Sequence, residues 1–132
     1  MKTAKILAFG LAAAIALSSA SAMAEADGEA LFKKKCGTCH SVKPGEHKLG
    51  PSLAGVFGRQ AGTAAGFEKY KAMKGASFTW DEAMLGEWIT DQKAFLKDHK
   101  DVVGGDKTAM SAKIKKEGDR AAIIDYLKEA HD

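Results

Sequence analysis

The apolar positions of this chain fall into short stripes of helical spacing, with little of the alternation that marks strands. The clearest is "DRAAIIDYLKEAH", from Asp119, where Ile123, Ile124, Leu127 and Ala130 share one face of an amphipathic helix. Leu85, Trp88 and Ile89 form a second stripe behind Thr79-Trp80-Asp81-Glu82, whose T-x-x-E spacing has the form of a capping box. "QKAFLKDH", residues 92 to 99, predicts a further short helix. Near the N-terminus, Asp27 is placed to cap a helix running to about Cys39, with Leu31 and Phe32 on one side. Lys33, Lys34 and Lys35 stand near its end, where cations suit the negative pole of the helix dipole. The pattern predicts an all-α fold of three to five helices.

Two long loops separate these elements. "KPGEHKLGPSLAGVFGRQAGTAAGF", residues 43 to 67, is rich in glycine, holds both prolines and has few apolar anchors. Asp98 to Lys116 is rich in lysine and glycine and contains Met110. Loops this long in a small domain need something to wrap around. A few helices and two such loops make a thin core, and a large buried cofactor would remedy it.

The first residues have a different character. Lys2 and Lys5 precede an apolar run, Ile6 to Leu17, then Ser18, Ser19 and small residues ending in Ala22-Met23-Ala24. That is the order of a secretory signal peptide, and the run is short for a membrane span. Cleavage is expected after Ala24, with Ala22 the alternative. Residues 25–132 would remain as a single domain of 108 residues. Only Lys2 and Lys5 are lost among the charged residues, so the net charge falls from +3 to +1. A generic polyanion binder is thereby excluded, nucleic acid included, and an electrostatic partner must be met by a local patch.

"KKKCGTCHSV", residues 33 to 42, contains both cysteines. In an oxidising compartment two neighbouring thiols would ordinarily close a disulfide. C-x-x-C-H is instead the attachment signature of haem c. Cys36 and Cys39, on one helical turn, can each add to a vinyl group at the macrocycle edge, and His40 can then ligate the iron. Rival chemistries are weaker. A thioredoxin-like pair wants a strand-helix-strand setting. Zinc needs four ligands, and His47, His99 and His131 lack the usual close pairing. An iron–sulfur cluster typically takes four cysteines, and this chain has 2. A sixth iron ligand could come from Met73, Met84, Met110 or those three histidines. Met84 falls in a predicted helix and Met73 in "KYKAMKGA". Met110 stands in the polar "DKTAMSAK", with nothing apolar nearby to explain it as core.

With these residues in view, the chain resembles class I cytochrome c, most closely the bacterial cytochrome c-two-like subgroup related to the mitochondrial protein. The resemblance spans residues 27 to 130. It rests on Gly28 and Phe32 before "CGTCH", on "GPSLAGVFGRQAGT", on Trp80 and Met110, and on Tyr126 in "IIDYLKEA". It implies one haem c, covalently attached through Cys36 and Cys39, with His40 as proximal and Met110 as distal ligand. It implies that the Pro51 carbonyl accepts a hydrogen bond from His40, and that Arg59 and Trp80 bind a propionate. Tyr70 joins them, one place later than the usual tyrosine. Gly28 and Tyr126 match the crossing of the first and last helices. Three departures stand out: Trp88 in place of a tyrosine near the methionine, Ala112 in place of an aromatic, and Ala109 before Met110. The first puts the usual hydroxyl bond to the sulfur in question.

The function implied is that of a soluble, monomeric periplasmic electron carrier, not an enzyme. It would take electrons from a membrane cytochrome bc complex and pass them to a terminal oxidase, a photosynthetic reaction centre or a denitrification enzyme. Lys34, Lys35, Lys43, Lys48, Lys107, Lys113 and Lys115 are the expected docking residues toward acidic partners, in brief and salt-sensitive complexes. Two rivals make different predictions. A ligand-binding or peroxidatic haem protein needs Met110 off the iron, and a permanently docked subunit would stay associated at high salt.

Overall fold

The computed structural model describes residues 19–129. It contains four helices: α1, Ser19–Lys35; α2, Glu82–Thr90; α3, Gln92–Asp98; and α4, Glu117–Lys128. Among the described residues the only β-pairing is an isolated antiparallel bridge between Gln60 and Thr79. The all-α expectation holds. Residues 1–18, most of the expected signal segment, and Ala130 lie outside the described residues. No described helix is long and apolar enough to cross a membrane.

The helix ends depart from expectation in two places. Asp27 lies inside α1 and is not its cap, because the alanine-rich stretch from Ser19 to Ala26 continues the helix upstream. The same helix stops at Lys35, short of Cys39. α2 is capped by Asp81, whose side chain accepts from the Met84 N–H at 2.8 Å, and not by Thr79. Thr79 and Trp80 are held elsewhere: the Trp80 N–H donates to the Arg59 carbonyl at 2.9 Å, and the Gly58 N–H to the Trp80 carbonyl at 2.8 Å. This strip lashes the glycine-rich loop to the entry of α2. Asp91 closes α2 and, by accepting from the Ala94 N–H at 3.1 Å, opens α3. One residue serving both ends leaves no linker, so the two helices meet at a sharp corner.

α1 and α4 pack across each other, as the resemblance implied. A Cβ at Gly28 would lie 2.3 Å from the Ala122 carbonyl oxygen, so only glycine lets the backbones approach this closely. Beside that contact the rings of Phe32 and Tyr126 sit 5.5 Å apart. Ile123, Ile124 and Leu127 of α4 are buried, with Leu85, Trp88 and Ile89 of α2 and Phe95 and Leu96 of α3 in the same core. Gly28→Ala must separate the helices or bend one. It is expected to cost about 1–3 kcal/mol, the usual range for overpacking, read as a lowered thermal midpoint.

The loops do not hang free. The Ser77 N–H donates to the Val102 carbonyl at 2.8 Å, and the Gly104 N–H to the Ala72 carbonyl at 2.6 Å. The second long loop is thus tied to the segment that follows the glycine-rich one.

Candidate cofactor site

α1 ends in a tight turn that carries the cysteine motif. The Cys36 and Gly37 N–H groups both reach the Phe32 carbonyl at 2.8 Å, and the His40 N–H reaches the Cys36 carbonyl at 2.9 Å. Cys36 and Cys39 are free thiols one turn apart. Burial pushes the Cys36 thiol up to about 11, against the pull of Lys35. Cys36 is therefore a protonated thiol at neutral pH, and the thiolate that would drive disulfide exchange is scarce.

His40 is oriented from behind. Its Nδ1 lies 2.8 Å from the Pro51 carbonyl oxygen, which can only accept, so Nδ1 carries the proton and Nε2 keeps its lone pair. Burial lowers the imidazole's pKa, more than the Pro51 contact raises it, and Arg59 adds to the lowering. A neutral imidazole with a committed Nδ1 is the form that binds a metal. Gly50 makes room for it: a Cβ there would lie 2.3 Å from His40 Cε1.

Cys36, Cys39, His40, Pro51, Arg59, Tyr70, Trp80 and Met110 all line one cavity of about 350 Å³. The eight residues are spread from position 36 to position 110, and the fold brings all of them together. Its walls include the apolar side chains of Leu53, Val56, Leu85, Ile89 and Ile123. At the edge, Arg59 Nη1 and Nη2 donate to the Ala54 and Ser52 carbonyls at 3.2 and 3.1 Å, while its Nε is buried with no protein partner. A buried cation with a spare donor wants an anion. The Tyr70 hydroxyl accepts from the Ala64 N–H at 3.0 Å, which leaves its own proton to donate. Trp80 is wedged against Phe78 at 4.8 Å and Phe95 at 6.1 Å. Apolar walls, a thiol pair, a neutral imidazole and an anion-seeking edge fit a haem with its propionates.

Met110 is half-buried, and its Sδ receives the indole N–H of Trp88 at 3.1 Å. The bond to sulfur that the missing tyrosine put in question is supplied by tryptophan, which hides the equivalence because indole and phenol share only the ability to donate. Met73 is buried and also lines the cavity, whereas Met84 is half-buried and packs against the core outside it.

The seven expected docking lysines are all exposed, yet only Lys35 lines the cavity. Lys48 Nζ donates to the Gly37 carbonyl at 2.8 Å, and Lys113 pairs with Asp91 at 3.3 Å. Lys69 and Lys71, outside the expected docking set, do line the cavity, as does Leu49, the one exposed large apolar side chain among the described residues. Their stretches lack any motif, so spacing alone offered no signal.

The chain was compared with known proteins. The family described as "Cytochrome c" matches residues 25–131. The cytochrome c of Chlamydomonas reinhardtii is 45% identical over 106 residues, 80% of this chain and 88% of that protein. That of Cannabis sativa is 40% identical over 104 residues, 78% and 86% of the two chains. That of Ulva intestinalis is 39% identical over 106 residues, 80% and 88%. These proteins are named as cytochrome c without a subgroup. Family, fold and site agree: the chain belongs to the cytochrome c family, of class I, and carries one haem c bound covalently through Cys36 and Cys39.

Proposed function

We propose that the protein is a periplasmic one-electron shuttle of the bacterial cytochrome c-two-like kind, with His40 and Met110 as the residues that would hold its haem iron. The observation that carries this reading is that His40 and Met110 line the same cavity as the cysteine pair, each already oriented by a second residue. Bound haem supplies a reversible one-electron step at iron. The Pro51 carbonyl holds the proton of His40 Nδ1, so Nε2 is free to donate to the metal. The sulfur of Met110, neutral and soft, favours the ferrous state and a high potential. Arg59, Tyr70 and Trp80 hold the propionate edge and keep water from it. With His40 and Met110 both committed to the iron, no site would be left for a substrate, which suits a carrier.

Residues 1–24 act in this reading as a cleaved export signal, leaving a monomeric domain of residues 25–132 in the periplasm. Electrons come from a membrane cytochrome bc complex and pass to a terminal oxidase, a photosynthetic reaction centre or a denitrification enzyme. Lys35, Lys69 and Lys71 at the cavity rim, with exposed Lys34, Lys43, Lys48, Lys107, Lys113 and Lys115, steer acidic partners. Such charges act mainly on the encounter rate.

The absorption spectrum of the oxidised protein tests the ligand pair. A methionine-to-iron charge-transfer band is expected, and the reduced protein should not bind carbon monoxide. Absence of the band together with ready carbon monoxide binding points to the peroxidatic alternative. Stopped-flow electron transfer to an acidic partner should slow steeply as salt rises through a Debye length of about 10 Å at 0.1 M.

A further inference from the structure

Gln92 is the most deeply buried polar side chain among the described residues, 2% exposed, and the cofactor site does not account for it. Its Nε2 donates twice, to the Trp88 carbonyl at 2.9 Å and to the Ala112 carbonyl at 2.6 Å, while its Oε1 is buried without a partner. An orphaned amide oxygen is a standing cost. The side chain is therefore present for its donors, and one of them reaches two residues past Met110.

The neighbours of Gln92 extend the pattern. Trp88 Nε1 holds the sulfur of Met110, and the Ile89 carbonyl accepts the Ile114 N–H at 2.8 Å. Residues 110, 112 and 114 are thus gripped in turn by residues 88, 92 and 89. The first of these contacts is made by a side chain, the other two by the Ala112 carbonyl and the Ile114 N–H. Lys113 reaches the same corner, pairing with Asp91, the residue that ends α2 and begins α3. The corner itself creates the grip. α2 stops at Thr90, so the carbonyls of its last turn need partners from outside the helix, and the Met110 strand and Gln92 supply them.

We propose that the α2–α3 corner is a clamp on the methionine strand, with Gln92 as the positioning residue that keeps Met110 at the iron and so keeps outside ligands away from it. This rests on Met110 being the distal ligand. Any outside ligand must first displace Met110, and the strand then gives up its bond to Gln92. Deleting the donors removes that cost in advance. Trp88 acts on the same sulfur electronically: a donated hydrogen bond draws density from it and favours ferrous iron.

The test is imidazole binding to the ferric holoprotein, followed by loss of the methionine band. Gln92→Met keeps an unbranched side chain of similar size and removes both donors. It is expected to tighten imidazole binding about tenfold, equivalent to about 1.4 kcal/mol. Should that variant fail to assemble, Gln92→Asn, a methylene too short for the Ala112 carbonyl, is expected to do the same. Ile124→Val, a core change in α4 away from the strand, should leave imidazole affinity within about twofold. Trp88→Phe should lower the reduction potential. Unchanged imidazole affinity in the Gln92 variants, or equal tightening in Ile124→Val, overturns the clamp while the ligand reading stands. A wild-type ferric spectrum without the methionine band overturns both.

Discussion

Replacing Met110 by alanine is expected to abolish the methionine–iron band and lower the reduction potential by on the order of 0.1–0.3 V, within the ~0.8 V that axial ligands span. Three physical terms act together. The soft donor that favours ferrous iron is gone. Trp88 loses its acceptor, and a buried N–H without a partner costs about 1–3 kcal/mol. The vacated space admits small molecules, so the reduced variant should bind carbon monoxide where the parent does not. Redox titration and difference spectra read all of this on one sample. Met73→Ala is the matched comparison, since Met73 is buried and lines the same cavity. Band and potential should survive there. If Met73→Ala loses the band and Met110→Ala keeps it, the ligand is Met73.

The double replacement Cys36→Ala, Cys39→Ala should leave a chain that does not hold its tertiary structure once haem is extracted. At roughly 24 cal/mol per Å³, emptying a cavity of about 350 Å³ costs about 8 kcal/mol if its walls stay put. That figure is comparable with the whole stability of a small domain, about 5–15 kcal/mol. The walls would therefore collapse, and they are drawn from α1, α2, α4 and both loops. Near-ultraviolet circular dichroism should lose its aromatic signal after acid-acetone extraction, while the parent retains both haem and signal. Persistence of a sharp thermal transition in the extracted variant would show that the core stands without its cofactor.

Much of this was legible from the residues. The α4 stripe, α3 and the cysteine motif follow from spacing, and the eight cofactor residues all reached one cavity. What failed was local. Asp27 has the residue type of a cap, but type does not say whether the helix has already begun upstream. Thr79 fitted a capping box, but its backbone belongs to pairing with a loop some twenty residues earlier, which no local pattern encodes. Gln92 looked like an ordinary polar residue at a helix start. Its partner, the Ala112 carbonyl, is a backbone atom that leaves no trace in residue type. The rim lysines, Lys69 and Lys71, were missed for the same reason, since neighbourhood in the chain is a poor guide to neighbourhood around a cavity.

The tie between Gly104 and Ala72 has a further consequence for Met110. Gly104 is tied to Ala72 and Ala112 to Gln92, so only Gly105 to Ser111 lies between the two anchors. In the proposed ligation, a side chain on so short a leash behaves as one held at high effective concentration, because the accessible volume shrinks with the length of free chain. While both anchors hold, the sulfur stays near its place in the cavity, and an outside ligand must loosen the Ala112 anchor to move it away. Lengthening this leash, with the anchors left intact, would dilute Met110 against every competitor in solution while leaving each of its own contacts available.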